Sequence, residues 1–168
     1  ELSAVVNAYK GHLIATSACM GGELSTNAYA MACTEQVNDM TQARYYYEEI
    51  NKFVKFCLNL FGDDFYIECA PSTRKDQIIT NRKLLSIARA YNVPVAVGTD
   101  AHFMTEADRP IHKAYLNSKD GEREVDDFYE FARLMTPDEC AELLFKSFDA
   151  DVVDEIFENS KKLQGKIQ

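Results

Sequence analysis

Helix-length segments that alternate with short apolar runs are the feature that most constrains this fold. From Ala43 to Phe61, apolar residues recur at the spacing of one helix face, and Gly62 follows as a stop signal. A second helix is predicted from about Gln77 to Tyr91. The first helix leads into "DFYIECA" and the second into "VPVAVG", while "HLIATSAC" precedes both across a polar segment. This alternation predicts βαβ units with parallel strands that are buried on both faces.

The two predicted helices present apolar faces that should pack on these strands. In the first the face comprises Tyr46, Tyr47, Ile50, Val54, Cys57, Leu58 and Phe61, and in the second Leu84, Leu85, Ala88 and Tyr91.

The C-terminal part is predicted to be helical. Thr136 followed by Pro137 and Glu139 is typical of an N-cap with a capping box, and Ala141, Leu144 and Phe145 should face inward. Another helix is predicted for residues 152–163. The charged segment of residues 117–125, "NSKDGEREV", is interpreted as a surface loop.

Composition narrows the functional classes. The 168 residues suit one domain or part of a larger one, and the net charge of −9 argues against a surface that wraps duplex DNA. Five cysteines without a Cys-x-x-Cys pair indicate neither a zinc ribbon nor a disulfide framework, which favours a reduced, cytoplasmic setting. The sequence contains no recognisable signal peptide and no apolar run of about 20 residues, so no membrane association is expected.

Metal-binding side chains follow the predicted strands. The runs end in Cys19, in Glu68 and Cys69, and in Asp100 and His102. Because the carboxyl ends of parallel strands meet at one edge of a sheet, these side chains should lie close together. Residues i and i+2 of an extended chain point the same way, so Asp100 and His102 are predicted to reach one ion together.

Each candidate also has a structural interpretation. An Asp-x-His pair arises by chance, and a cysteine is commonly a buried packing residue. Only one of the neighbours Glu68 and Cys69 can face the site. His112 should lie in a helix with a structural hydrogen bond, although it is retained near the site, and His12 should lie at the opposite edge of the sheet.

The order of motifs resembles a known family. "GHLIATSACMGGEL", "FYIE", "NVPVAVGTDAHFMTEADRPIHKA" and "MTPDECAELL" are similar, in the same order, to segments of the PHP (polymerase and histidinol phosphatase) domain of the bacterial DNA polymerase III alpha subunit. The match covers about residues 10–165. Departures from the family pattern are Ala18 for glycine, Thr99 for asparagine and Phe103 for tyrosine.

The resemblance implies a distorted (β/α)7 barrel with a trinuclear metal cluster at the carboxyl ends of its strands. The last three of the family's nine ligand positions match Cys19, Asp100 and His102, and the other six would precede this sequence. Residues 1–135 would then be the carboxyl-terminal half of the barrel, and residues 136–168 a helical extension towards a polymerase palm.

The resemblance also implies a function. The parent protein would be a DNA-directed DNA polymerase, a nucleotidyltransferase that uses magnesium and works with DNA and other replisome subunits. Its PHP domain would bind zinc or manganese and have metal-dependent phosphoesterase potential, including 3′–5′ exonuclease proofreading. The chain alone is expected to be inactive. The alternatives are a stand-alone PHP phosphoesterase of the histidinol-phosphatase kind, and a non-catalytic scaffold that braces the polymerase or docks an exonuclease. Half a barrel would leave sheet edges exposed, which predicts self-association.

Overall fold

The computed structural model describes residues 2–120 and 129–167. In these residues the helices are α1 (Leu2–Ala8), α2 (Glu23–Gln36), α3 (Met40–Phe61), α4 (Lys75–Tyr91), α5 (Arg109–Asp120), α6 (Pro137–Leu144) and α7 (Ala150–Lys166), and the strands are β1 (Ala15–Thr16), β2 (Phe65–Cys69) and β3 (Val95–Val97). Short 3₁₀ turns at Gly62–Asp64 and Glu106–Asp108 precede β2 and α5. None of the helices described is long and apolar enough to cross a membrane.

The strands form a parallel sheet in the order β1–β2–β3. Ala15 pairs with Phe65, and Ile67 pairs with Val95. The central strand is buried along most of its length, and Phe65, Ile67 and Cys69 have no exposed surface. The α/β class with parallel strands is therefore confirmed. The described strands form a three-stranded sheet, and a (β/α)7 barrel stays a prediction, as does self-association through exposed edges.

The two helices predicted around the central strand are present. α3 begins after Asp39, whose side chain accepts a hydrogen bond from the Gln42 amide at 3.1 Å, and ends at Gly62 with a positive φ of 56°. Its inner face matches the prediction except for Tyr47, which is 51% exposed and lies beside Tyr91 at the end of α4. α4 begins slightly earlier than predicted and ends at Asn92 in the left-handed conformation.

Two helices were not predicted. The polar segment between the first strand and α3 contains α2, and α1 precedes the first strand. α2 buries only Leu24, Ser25 and Ala28, so it has almost no apolar periodicity. It is stabilised by packing against α3 and α4, and tertiary contacts of this kind override a weak local signal.

The predicted loop at 117–125 is wrong in part. Residues 117–120 continue α5, and residues 121–125 lie outside the described part of the chain. A polar residue is accommodated in this part of α5, since Ser118 is exposed and its hydroxyl donates to the Tyr115 carbonyl at 2.7 Å.

The C-terminal helices pack on the same core as the sheet. The capping box at Thr136 is present, and Leu144, Val153 and Ile156 belong to one buried cluster with Phe65. Phe145 was predicted to face inward but is 51% exposed, because α6 ends at Leu144 and the chain turns there. The division at residues 135 and 136 stays a prediction.

Candidate functional site

The carboxyl ends of the three strands lie along one edge of the sheet, as parallel pairing requires. A cleft at this edge contains both Cys19 and Asp100, which follow β1 and β3 and are distant in sequence. The other residues that line it are Met20, Ala70, Pro71, Ser72, Arg74, Asp76, Gln77, Thr99, Phe131 and Ala132. The sheet therefore brings two of the predicted metal ligands to the same cleft.

Cys19 is placed by a sharp turn between β1 and α2. Ala18 adopts a left-handed φ of 64°, and the Cys19 carbonyl accepts a hydrogen bond from the Gly22 amide at 2.9 Å. The thiol is half-buried and forms no disulfide. A Cβ at Gly21 would lie 4.0 Å from the sulfur, which is an ordinary van der Waals contact. A reduced, partly accessible thiol is consistent with a metal ligand or a packing residue.

The prediction for Asp100 and His102 assumed an extended backbone, and the backbone at Asp100 is not extended. That the two side chains reach one ion together stays a prediction. β3 ends at Val97, and Asp100 takes a left-handed φ of 47°, so the chain is bent at this point. The Nδ1 atom of His102 lies 2.6 Å from the backbone oxygen of Asp100 and 3.9 Å from its carboxylate Oδ1. Since only a protonated nitrogen can donate to a carbonyl, Nδ1 carries hydrogen and Nε2 remains the potential ligand atom.

The His102 ring belongs to an aromatic group beside the cleft. Its centroid lies 4.9 Å from that of Tyr129 and 5.3 Å from that of His112, and the His112 ring is 5.6 Å from Phe103. Burial, followed by the charge of His102, lowers the pKa of His112. His112 is thus on a helix next to the site, as predicted, and its ring packs against those of His102, Phe103 and Tyr129.

The three predicted ligands do not form a metal site on their own. The residues that the structure describes contain no group of three or more His, Cys, Asp or Glu side chains that could hold one ion. The donor types suit zinc or manganese, but the geometry of the described chain does not supply a complete ligand set. A metal would need further ligands.

Glu68 and Cys69 point to opposite faces of β2, as neighbours in a strand must. Cys69 is fully buried towards α4, where its sulfur lies 3.8 Å from the Asn81 carbonyl, and burial raises the pKa of its thiol. Glu68 packs on Gly98, where a Cβ would lie 2.1 Å from its Oε2 atom. Glu68, and not Cys69, is therefore the one on the face away from α4.

Several cleft residues were missed by sequence reasoning. Arg74 binds Asp76 through both carboxylate oxygens, with distances of 3.1 Å from Nε and 2.6 Å from Nη2, and this arginine lowers the pKa of Asp76. The hydroxyl of Ser72 accepts a hydrogen bond from the Arg74 amide at 3.0 Å. Their place directly after β2 was the available signal, because loops at that end of a parallel strand line the site. No comparable signal existed for Phe131 and Ala132.

His12 lies at the other edge of the sheet, as predicted. It is exposed just before β1 and lines a surface depression with Asp64 and Lys166, which form an ion pair of 2.7 Å. It is not close to the cleft residues and has no part in the candidate site.

Comparison with known proteins identifies the kind of protein to which this segment is related. No protein-family model matches the chain. It is 39% identical over 151 residues to the "Probable DNA polymerase YorL" of Bacillus subtilis (strain 168) and to the "DNA-directed DNA polymerase" of Bacillus phage SPbeta. Each alignment covers 89% of this chain and 12% of the relative.

More distant relatives have related names. The chain is 30% identical over 108 residues to the "DNA polymerase III subunit alpha" of Aquifex aeolicus (strain VF5), covering 64% of this chain and 8% of that protein. The chain therefore spans only about an eighth of the length of the first curated relatives it matches, which are covered to 12%. Its homologues are DNA polymerases, among them alpha subunits of DNA polymerase III.

Proposed function

We propose that this chain is part of a DNA polymerase of the polymerase III alpha kind and supplies the carboxyl-terminal half of its PHP domain. The observation that carries the proposal is the 39% identity over 151 residues to two DNA polymerases. The parallel sheet and the cleft at its carboxyl edge are compatible with this origin. The complete protein would extend a primer on a DNA template, in the cytoplasm and together with other replisome subunits.

Cys19, Asp100 and His102 would contribute ligands to a metal site in that complete protein. Cys19 and Asp100 already line one cleft, and His102 lies next to Asp100 with its Nδ1 atom engaged. Thiolate and imidazole favour zinc or manganese over calcium. The remaining ligands would come from outside the described residues, so the isolated chain should hydrolyse no phosphoester.

Metal analysis tests this assignment directly. In the complete protein, C19S and D100N should each lower the bound zinc or manganese, whereas C33S should not. Cys33 is a suitable control because it is also a half-buried free thiol but does not line the cleft. A metal content that is unaffected by C19S and D100N would exclude these ligands.

Primer extension and 3′–5′ removal of nucleotides can be measured separately in the complete protein, which distinguishes polymerase from phosphoesterase activity. D100N should abolish 3′–5′ removal of nucleotides from a primer and leave primer extension intact, because the palm carboxylates of a polymerase lie elsewhere. A complete protein that cannot extend a primer but hydrolyses phosphoesters would instead be a stand-alone phosphoesterase.

A second candidate function is a non-catalytic scaffold. It is favoured by the absence, among the described residues, of any group of three metal-binding side chains. A complete polymerase that contains no metal other than that used for primer extension, and that removes no nucleotides, would support the scaffold.

A further inference from the structure

A short segment at the start of the second described range, residues 129–167, lies alongside the loop that carries Asp100 and His102. The Ala132 carbonyl accepts hydrogen bonds from the amides of His102, at 2.8 Å, and Phe103, at 3.3 Å. The Leu134 amide donates to the Phe103 carbonyl at 3.2 Å, and Phe103 pairs with Arg133 in parallel register. Residues 131–134, called here the flanking segment, are thus joined by backbone hydrogen bonds to the loop that follows β3.

The flanking segment also forms a wall of the cleft. Phe131 and Ala132 line it together with Cys19 and Asp100. The same stretch of chain therefore holds the loop through backbone hydrogen bonds and bounds the space in which its side chains lie. A shift of this segment would move Asp100 relative to Cys19.

Arg133 connects the flanking segment to α6. Its Nη2 atom lies 2.8 Å from Glu139 Oε1, its Nε atom 3.9 Å from Glu106 Oε2, and its Nη1 atom donates to the Leu134 carbonyl at 3.1 Å. The arginine side chain is only 25% exposed. An arginine that is shielded in this way and has several acceptors is restricted to one position.

The partner of Arg133 is itself fixed. The Oε2 atom of Glu139 accepts hydrogen bonds from the Thr136 amide at 2.8 Å and the Thr136 hydroxyl at 3.0 Å, which close the capping box of α6. α6 is anchored in the core through Cys140 and Leu144, which are both buried. Arg133 and these bonds lower the pKa of Glu139 to about 2, so the carboxylate is charged at neutral pH.

We infer that Arg133 is a positioning residue, whose ion pair with Glu139 holds the flanking segment against the loop and so sets the place of Asp100 in the cleft. The positioning follows from the contacts of Arg133 alone. Its consequence for metal binding rests on the proposed function.

Hydrogen exchange of the complete protein, measured by mass spectrometry, tests the positioning. In R133Q, peptides that cover residues 101–104 and 131–135 should exchange at least about fivefold faster, because breaking a shielded charged pair makes local opening easier. R133K should restore most of the protection. R89Q is the matched control, since it breaks the Arg89–Glu155 pair between α4 and α7, away from the cleft.

A second variant distinguishes a local effect on the flanking segment from general unfolding. E139Q removes the charge and keeps the shape of the side chain, and it should accelerate exchange in the same two peptides without affecting α3. Exchange in R133Q or E139Q that equals the wild-type rate would overturn the inference.

Metal affinity separates the inference from the proposed function. A wild-type protein that binds zinc through Cys19 and Asp100 should lose about 10-fold in affinity in R133Q, with recovery in R133K, as expected for a residue that orients a ligand indirectly. Wild-type protein without metal would contradict the proposed function only, and the exchange rates would still decide the positioning.

Discussion

Removal of the Asn81 side chain should strongly destabilise this fold. Asn81 is fully buried on α4. Its Nδ2 atom donates to the Ala70 carbonyl at 2.8 Å and to the Ser147 hydroxyl at 3.1 Å. Its Oδ1 atom accepts from the Ala70 amide at 3.2 Å and from Gln77 Nε2 at 2.9 Å. One side chain therefore joins α4, the end of β2 and the turn after α6.

The magnitude follows from these four hydrogen bonds. A typical net contribution to stability of about 0.5–1.5 kcal/mol for each hydrogen bond gives roughly 2–6 kcal/mol for the four. The loss lies towards the higher end of this range where a buried polar group is left without a partner. Asn81→Ala leaves the fully buried position 81 without its polar contacts and removes the side-chain partner of both backbone groups of the half-buried Ala70. We therefore expect it to lower the free energy of unfolding by about 3–5 kcal/mol.

Urea unfolding followed by circular dichroism measures this loss, at several protein concentrations so that association is recognised. Gln77→Ala is the matched control, because it removes one of the same bonds from a half-buried residue and should cost only about 1 kcal/mol. A loss in Asn81→Ala no larger than that of Gln77→Ala would refute the reasoning, since Asn81 would then not be the centre of the network.

Three further changes test other parts of the structure. Gly98→Ala should destabilise by about 1–3 kcal/mol, measured by thermal unfolding, because its Cβ would lie 2.1 Å from Glu68 Oε2. The additional change Glu68→Ala should recover part of the loss, since only the Glu68 Cβ contact of 3.0 Å remains, and no recovery at all would place the clash elsewhere. Ala18→Gly should stabilise by about 0.5–1 kcal/mol, because the native φ of 64° favours glycine, and a loss of stability would contradict that conformation. The pKa of Glu139 is lowered to about 2, so the carboxylate contributes stability above the unfolded pKa of about 4.5 and should lose that contribution as the pH falls towards 2. The free energies of unfolding of wild type and E139Q, measured by urea titration, should therefore become equal at about pH 2. A difference between them that does not change with pH would refute the assignment.

Periodicity and capping predicted those elements that carry a local signal. α3 and α4 each bury a regular apolar face, and the capping box of α6 is formed by Thr136 and Glu139 as expected. α2 could not be predicted in this way, because it buries Leu24 and small residues and depends on its neighbours. Its stability resides in contacts between distant segments that no local pattern contains.

The candidate site was predictable to the extent that topology determines it. Parallel strands end at one edge, and this rule was sufficient to bring Cys19 and Asp100 to one cleft. The direction of His102 was not predictable from the Asp-x-His spacing, because that spacing assumes extended backbone and Asp100 is left-handed. Phe131 lines the cleft because the flanking segment forms hydrogen bonds with the loop that follows β3, and the sequence alone does not reveal this contact.

Two of the strands leave the sheet through the same kind of bend, and this explains where the candidate ligands lie. Ala18, just before Cys19, has a φ of 64°, and Asp100 itself has a φ of 47°. Aspartate tolerates the left-handed region better than alanine does, so Ala18 needs support from its surroundings. That support comes from β2: the Ser17 amide donates to the Tyr66 carbonyl at 3.0 Å, and the Ser17 hydroxyl accepts from the Glu68 amide at 3.0 Å. The turn that carries Cys19 is therefore held by the contacts of Ser17 with the central strand, whereas the loop that carries Asp100 is held by the hydrogen bonds of His102 and Phe103 to the flanking segment. The two candidate ligands in the cleft thus depend on different neighbours.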